Sequence, residues 1–266
     1  MIAIRTEQEI NLMRQANRLV AEVLEMLAGM ITPGITTAEL DRAAEILIRE
    51  RGARPAFKGY RGFPATICVS IDEQVVHGIP GKRRLREGEI VSLDVGTIWE
   101  GYYGDAAVTV PCGTVSQDKR RLLEVTDRAL AKAILAARDG NHLRDIGVAV
   151  ETECRIAGFG VVRDFVGHGI GTAMHEEPQV YNFDCGREGP VLREGMALAI
   201  EPMVNMGGHK VRVMNDGWTV VTADGKPSAH FEHSVIVRKC GGEILSQGSS
   251  LRWGVLPGHA DLPPGM

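Results

Sequence analysis

Four carboxylates stand in stretches that are otherwise apolar. Asp94 lies in SLDVG, Asp105 in YGDAAVT, Glu201 closes ALAIEP, and Glu232 sits within HFEHSVIV. An unpaired charge buried in such a stretch is very costly, so each carboxylate must reach water or share a partner. If Trp99 and Glu100 formed a two-residue hairpin turn, Asp94 and Asp105 would face each other across the strands with Cβ atoms about 5 Å apart. Side by side they would repel unless they shared a proton or a cation. The opposite arrangement is open too: Leu93 and Val95 flank Asp94, and simple apolar-in, polar-out alternation would turn its carboxylate to solvent. A fifth candidate is His168, in Gly167-His168-Gly169-Ile170-Gly171, followed in the same stretch by His175. Glycine on both sides lets the backbone approach another chain or a ligand closely. Asp94, Asp105, His168, Glu201 and Glu232 together offer hard oxygen donors and one nitrogen. Their four negative charges would be neutralised by two divalent cations. That donor set suits Mn, Fe(II), Co or Mg and tolerates Zn, and paired ions bridged by carboxylates are an engine for activating water. Other chemistries have less support. The string GHGIG is not followed by the GK[ST] of a phosphate loop, and the nearby serines lack a GxSxG elbow.

The 266 residues are 44% hydrophobic and 24% charged, enough apolar content for a sizeable core. Lys plus Arg number 30 against 34 Asp plus Glu, a net charge near −4. That balance argues against a protein whose main work is gripping a phosphate backbone, and no sequence-specific nucleic-acid binding is expected. No run approaches the roughly 18 continuous apolar residues of a membrane span. The N-terminus, MIAIRTE, becomes charged too early for a signal peptide. A cytoplasmic protein is therefore expected. Cys68, Cys112, Cys154, Cys185 and Cys240 are scattered and contain no Cys-x-x-Cys pair. They read as reduced thiols, which leaves carboxylates and imidazoles as the metal donors.

Two capping boxes mark the first elements that must position these groups. Thr6-x-x-Glu9 opens a helix with apolar residues at Ile10, Met13, Leu19, Val20, Val23, Leu24 and Leu27, broken by Pro33-Gly34. Thr36-x-x-Glu39 opens a second, carrying Leu40, Ala43, Ala44, Leu47 and Ile48 and ended by Gly52. Residues 55–64 read as a loop, 65–71 as a short strand, and 89–98 with 102–110 as a β-branched hairpin. The order then recurs. Helices are predicted over 117–138 and 142–157, a strand over 161–166, a Gly- and His-rich loop, and strands at 197–200, 218–222 and 230–237. Sliding the first half by 106 residues lays Gly34 on Gly140 and Gly52 on Gly158. This pattern predicts an internal duplication in an α+β layer fold. Its halves, 1–110 and 111–245, would put an antiparallel or mixed sheet under helix pairs. Residues 246–266, rich in Gly, Pro and Ser, are expected to form a flexible tail beyond a single catalytic domain, 1–245.

The strings VVHGIP, SLDVGTIWEGYYGDAAVT, VGHGIGTAMHEEP, ALAIEPM and FEHSVIV, in that order between about residue 2 and about residue 245, resemble the methionine aminopeptidases of the short bacterial type I. The resemblance implies the pita-bread fold of the creatinase/aminopeptidase group, with two pseudo-twofold halves around a mostly antiparallel sheet. It also implies removal of the initiator methionine from nascent chains when the second residue is small. Carried over, Asp94 resembles the chelating aspartate of one ion, Asp105 and Glu232 the two bridging carboxylates, and His168 and Glu201 the ligands of the other ion. The two ions would be Co, Mn, Fe or Zn. His77 resembles the histidine beside the scissile amide, and His175 the one near the carbonyl oxygen that becomes the oxyanion. Glu201 resembles the group that passes the water's proton. Phe57, Tyr60, Phe63, Cys68, Met174 and Trp218 align with the walls of the methionine side-chain pocket. Phe57, Phe63 and Met174 stand where the family usually has Cys, Tyr and Phe, which keeps the pocket apolar but changes its shape. Asp72, in place of the usual Asn, and Ser228 align with positions that bind a monovalent cation in relatives.

Two other readings stand beside this one. A proline-specific aminopeptidase of the same fold would carry a substantial N-terminal domain, whereas here the first helix opens near residue 6. A metal-free pseudo-enzyme that only binds partners would have lost ligands, whereas all five are present. Lys82-Arg83-Arg84-x-Arg86 is the one strong basic run. It reads either as a solvated loop or as a contact with ribosomal RNA or an acidic ribosomal surface near the tunnel exit. The expected partners are nascent polypeptide N-termini, with no membrane, and the expected state is a monomer.

Overall fold

The computed structural model describes residues 2–251, 253 and 254. Its helices begin where side chains satisfy free N–H groups. In α1 (Glu7–Met30) and α2 (Thr37–Glu50), the Thr6 and Thr36 hydroxyls accept from the N–H groups of Glu9 and Glu39, whose carboxylates reach back to the cap N–H. Ser116 caps α3 (Gln117–Ala136), and Asp145 accepts from the N–H of His142 at the start of α4 (Leu143–Ala157). The strands of the first half are β1 (Arg54–Pro55), β2 (Ile67–Ile71), β3 (Gln74–Val76), β4 (Ile90–Trp99) and β5 (Tyr102–Pro111). Next come β6 (Gly160–Val161), β7 (Gly167–Gly169), β8 (Glu176–Val180), β9 (Ala197–Ile200) and β10 (Met203–Asn205). The last are β11 (Val211–Val213), β12 (Val220–Thr222), β13 (Ser228–His230), β14 (Glu232–Arg238) and β15 (Gly241–Ile244).

One large sheet runs β1-β4-β5-β14-β9-β7-β8, with β2 beside β4 and β15 beside β14. All its pairings are antiparallel. Two three-stranded sheets, β13-β10-β6 and β11-β12-β3, flank it. Helix α1 buries Ile10, Met13, Val20, Leu24 and Leu27, the three- and four-residue spacing of one helical stripe. That stripe lies on β4 and β5. The Thr97 hydroxyl donates to the Ala16 carbonyl at 2.9 Å, and a Cβ on Gly104 would stand 2.8 Å from the Ala16 carbonyl carbon. Helix and hairpin therefore meet backbone to backbone. One continuous core cluster joins residues of all four helices to the central strands.

The duplication is written in the hydrogen bonds. Gly34 donates to Leu85 (2.8 Å) as Gly140 does to Leu192 (3.0 Å), and Leu85 to Ile35 as Leu192 does to Asn141, both at 2.8 Å. Thr37 donates to Arg83 as Leu143 does to Pro190. Gly34 and Gly140 have φ of 99° and 87°, and Gly52 and Gly158 have 79° and 78°, so the same left-handed turns recur. The strands β4 and β5 of one half meet β14 and β9 of the other at the β5–β14 seam, where Ala107 faces Glu232 and Ala106 faces His233.

Three expectations are corrected. The Gly- and His-rich stretch opens with a strand, β7, between β8 and β9, and is a loop only from Ile170 to His175. Its glycines are there for closeness: a Cβ on Gly167 would stand 2.3 Å from the Ala199 oxygen. The strand expected over 161–166 shrinks to the two residues of β6. The expected loose tail does not begin at Ser246, because Ser246 and Trp253 are buried against β14. Residues 255–266 lie outside the described residues.

Candidate metal centre

The hairpin turn is Glu100-Gly101, with φ of 47° and 84°, the double left-handed geometry of a two-residue hairpin turn. The register therefore differs from the expected one. Asp94 faces Ala107 and Gly96 faces Asp105, so the two aspartates lie diagonally on one face instead of directly opposite. On α1, buried Asn17 donates to the Met13 carbonyl and accepts from the Asp105 N–H at 3.3 Å, tying the helix to that strand. His168 enters from β7, Glu201 follows β9, and Glu232 opens β14.

All five side chains line one cavity of about 150 Å³. One ligand atom each from Asp105, His168 and Glu232 lie within 4.8 Å of one another. His168 Nε2 is 3.7 Å from Asp105 Oδ2 and 3.6 Å from Glu201 Oε1. Its Nδ1 is 2.9 Å from the Gly169 carbonyl, which can only accept, so Nδ1 carries the proton and Nε2 presents a lone pair to those carboxylates. Burial pushes the His168 pKa down to about 3, so the ring is neutral near pH 7, the form that ligates. Asp94 is pushed up to about 7 by removal from water. Asp105, Glu201 and Glu232 are raised well above the usual carboxylate range, first by burial and then by one another's charge. Asp94 Oδ1, Asp105 Oδ1 and Glu232 Oε1 are buried without hydrogen-bond partners. Carboxyl oxygens gathered in the dry without partners fit a divalent cation of the kind hard oxygens and imidazole bind, which would hold them ionised.

His77 and His175 line the same cavity. His77 is held at φ 58°, a conformation costing a non-glycine residue about 1–3 kcal/mol. Its ring meets those of Phe165 and Trp218 edge-on at 5.7 and 6.2 Å. Burial, then the charge of His175, lowers its pKa to about 4. His175 Nδ1 lies 2.9 Å from the Tyr60 hydroxyl, and its ring centroid is 4.2 Å from that of His168. Phe57, Phe63, Cys68 and Met174 form a buried apolar cluster with Tyr60 and Trp218 packed against it. Phe63 meets Trp218 edge-on at 5.1 Å. All six line the cavity beside the carboxylates.

Sequence reasoning passed over two residues. Arg61, at φ 49°, lines the cavity with its guanidinium 5.4 Å from the Tyr60 ring centroid. His230 is buried, with an unpartnered Nε2 3.7 Å from Glu201 Oε2. Its place two residues before Glu232, on the same side of an alternating run, was the available signal. The Asp72 carbonyl accepts from the Ser228 N–H at 2.8 Å, while the Asp72 carboxylate pairs with Lys119 at 2.6 Å. The basic run does not line the cavity. Arg83 pairs with Glu89 at 3.0 Å, Arg84 donates to the Gly34 carbonyl at 2.6 Å, and the Arg83 carbonyl caps α2.

The duplicated sheet and its acid-lined cavity define a metal-dependent hydrolase of the pita-bread fold. Residues 11–239 match the model of metallopeptidase family M24, and the chain belongs to that family. It is 48% identical to methionine aminopeptidase 1 of Bacillus subtilis over 93% of this chain and 100% of that protein. It is 49% identical to the methionine aminopeptidase of Clostridium perfringens over 92% and 99%. Among solved structures, the methionine aminopeptidase of Rickettsia prowazekii superposes with a TM-score of 0.91 at 40% identity, covering 92% of this chain and all of that one. The prolidase of Pyrococcus horikoshii, at 23% identity and a TM-score of 0.76, shares the fold, and this chain spans 64% of it.

Proposed function

We propose that the protein removes the N-terminal methionine from nascent chains and peptides whose second residue is small. The observation that carries this is a single cavity whose one side is four carboxylates and His168 and whose other side is Phe57, Phe63, Cys68, Met174, Tyr60 and Trp218. The apolar residues give that cavity a wall against which an apolar side chain can pack, and aromatic rings favour a thioether sulfur. Asp94, Asp105, His168, Glu201 and Glu232 would hold two divalent ions, drawn from Co, Mn, Fe and Zn. Ions held there would lower the pKa of a bound water and offer Lewis-acid polarisation to a carbonyl oxygen.

The chain's own groups do the rest. The apolar wall seats the thioether side chain, and the Asp94 side of the cluster receives the free amine. Glu201, whose Oε1 lies 3.6 Å from His168 Nε2 at the edge of the cluster, takes the proton of the attacking water. His175, accepting from the Tyr60 hydroxyl at Nδ1, keeps Nε2–H for the oxygen that gains charge. His77, neutral near pH 7, donates to the amide nitrogen as it leaves. A large second side chain collides with the cavity mouth. A monomer belongs to the same reading. Among the described residues no helix is long and apolar enough to cross a membrane. Cytoplasmic location and contact between the basic run and the ribosome belong to the same reading.

Metal-stripped protein should hydrolyse Met-Gly-Met-Met only after Mn²⁺ or Co²⁺ is added, and should leave an Ala-Pro peptide intact. Preference for the Ala-Pro peptide would favour a proline-specific enzyme, and metal-independent or absent turnover would sink the assignment.

A further inference from the structure

The segment after β15 closes back onto the strand that carries Glu232. Ser246 Oγ lies 2.8 Å from His233 Nδ1 and accepts from the Ser234 N–H at 3.2 Å. Glu25 on α1 accepts from the N–H groups of Ser250 and Leu251 at 2.6 and 3.2 Å. Trp253, 2% exposed, stacks on His233 with centroids 4.5 Å apart. Its indole Nε1–H donates to the Glu232 carbonyl at 3.1 Å, and its own carbonyl sits 2.9 Å from His233 Nε2. The Gly254 N–H reaches Asp127 on α3.

The directions of these bonds are forced. A carbonyl only accepts, so His233 Nε2 bears the proton and Nδ1 accepts from the Ser246 hydroxyl. One unbroken series therefore runs from Ser234 N–H through Ser246, His233 and Trp253 to the Glu232 carbonyl. The Ser234 hydroxyl in turn donates to the Asp105 carbonyl at 2.8 Å. Side chains alternate along β14, so Glu232 points into the cavity while His233 points behind the sheet, where the strap lies. The strap lies beyond residue 239, where the family match ends.

We propose that this C-terminal strap, through Trp253 and His233, is a positioning element for the metal centre, fixing the backbones of Glu232 and Asp105 and with them the separation of the two carboxylates. Metal–ligand distances tolerate only about 0.2 Å of error, and groups that orient ligands matter accordingly. The proposal rests on reading Glu232 and Asp105 as ligands. Its test uses the full-length, metal-stripped protein and two variants. Trp253→Phe keeps the stacked ring and removes the indole donor, and Ser246→Ala breaks the series at its other end. Titration calorimetry with Mn²⁺ gives the Kd, and the visible absorption of the Co²⁺-loaded protein reports ligand geometry. Each variant should weaken Mn²⁺ binding about 10-fold and shift the Co²⁺ bands. Should Trp253→Phe fail to fold, Ser246→Ala decides alone. A wild-type Kd and spectrum overturn the proposal. So does a lower melting temperature of the metal-free protein with an unchanged Kd, which would make the strap packing alone. Failure of the wild-type protein itself to bind Mn²⁺ would instead overturn the reading of the centre, and the proposal with it.

Discussion

Gly169 follows His168 on β7, and a Cβ added there would stand 2.1 Å from the Glu177 carbonyl oxygen on β8. Real Cβ contacts essentially never fall under 3.0 Å, so in Gly169→Ala the two strands must part by about 0.9 Å. Both sides of the clash are backbone, so no side chain can rotate away. His168 rides on the displaced strand, where its Nε2 is 3.6–3.7 Å from the Glu201 and Asp105 oxygens. A misplacement of about 1 Å costs roughly 100-fold in rate, or about 2.7 kcal/mol. Gly169→Ala should thus lose about 100-fold in kcat/KM on Met-Gly-Met-Met and bind Mn²⁺ more weakly. It should stay folded, since overpacking costs about 1–3 kcal/mol against about 5–15 kcal/mol of total stability. Gly29→Ala, where a Cβ meets nothing within 4 Å, is the control and should turn over normally. Wild-type turnover and Mn²⁺ affinity in Gly169→Ala would refute the claim that glycine at this strand sets the position of His168.

His77→Ala should lower kcat by about 10²- to 10⁴-fold with metal content unchanged by atomic absorption; lost metal or intact turnover would count against its role at the amide. In metal-stripped protein, Asp94 is raised to about 7 and its acidic neighbours are raised too, so the folded state binds more protons than the unfolded. The stability they contribute is fully present below the ordinary carboxylate range and lost as pH rises through about 7. Calorimetric melting temperatures of the stripped protein should therefore fall between about pH 6 and about pH 8, with Mn²⁺ flattening the trend; a rise would contradict the burial argument. Because Arg83 and Arg84 are engaged within the fold, Lys82→Ser with Arg86→Ser should leave tetrapeptide turnover unchanged while flattening the salt dependence of co-sedimentation with ribosomes. Wild-type sedimentation at two salt concentrations would dismiss the docking role.

The helix starts were legible because Thr6, Glu9, Thr36 and Glu39 satisfy each other locally, with no need of the rest of the chain. The ligand candidates were legible because carboxylates in apolar strands demand a partner. The hairpin register was not. Gly101 next to Glu100 was the turn signal, and placing the turn one residue early misassigned the facing pairs without changing which face they share. Strand β7 was hidden by its own glycines, which composition reads as loop and which the sheet needs for close approach to Ala199 and Glu177. The strap was hidden because nothing near Trp253 in sequence announces His233 as its partner. Arg61 and His77 share positive φ, which no local pattern of side chains predicts.

The β5–β14 seam has a consequence for how the molecule holds together. Asp94 and Asp105 belong to one half, and His168, Glu201 and Glu232 to the other, so each half brings acids to a junction where the opposite half also brings acids. Empty, the junction keeps its crowded acids together only by leaving protons on them. Filled, a cation becomes a rivet. A protease nick in the exposed bend at Gly113-Thr114 would leave two fragments still joined by the β5–β14 ladder and a shared core, with that rivet as an added fastening. Loading the proposed metal centre would then also tighten the junction of the two halves.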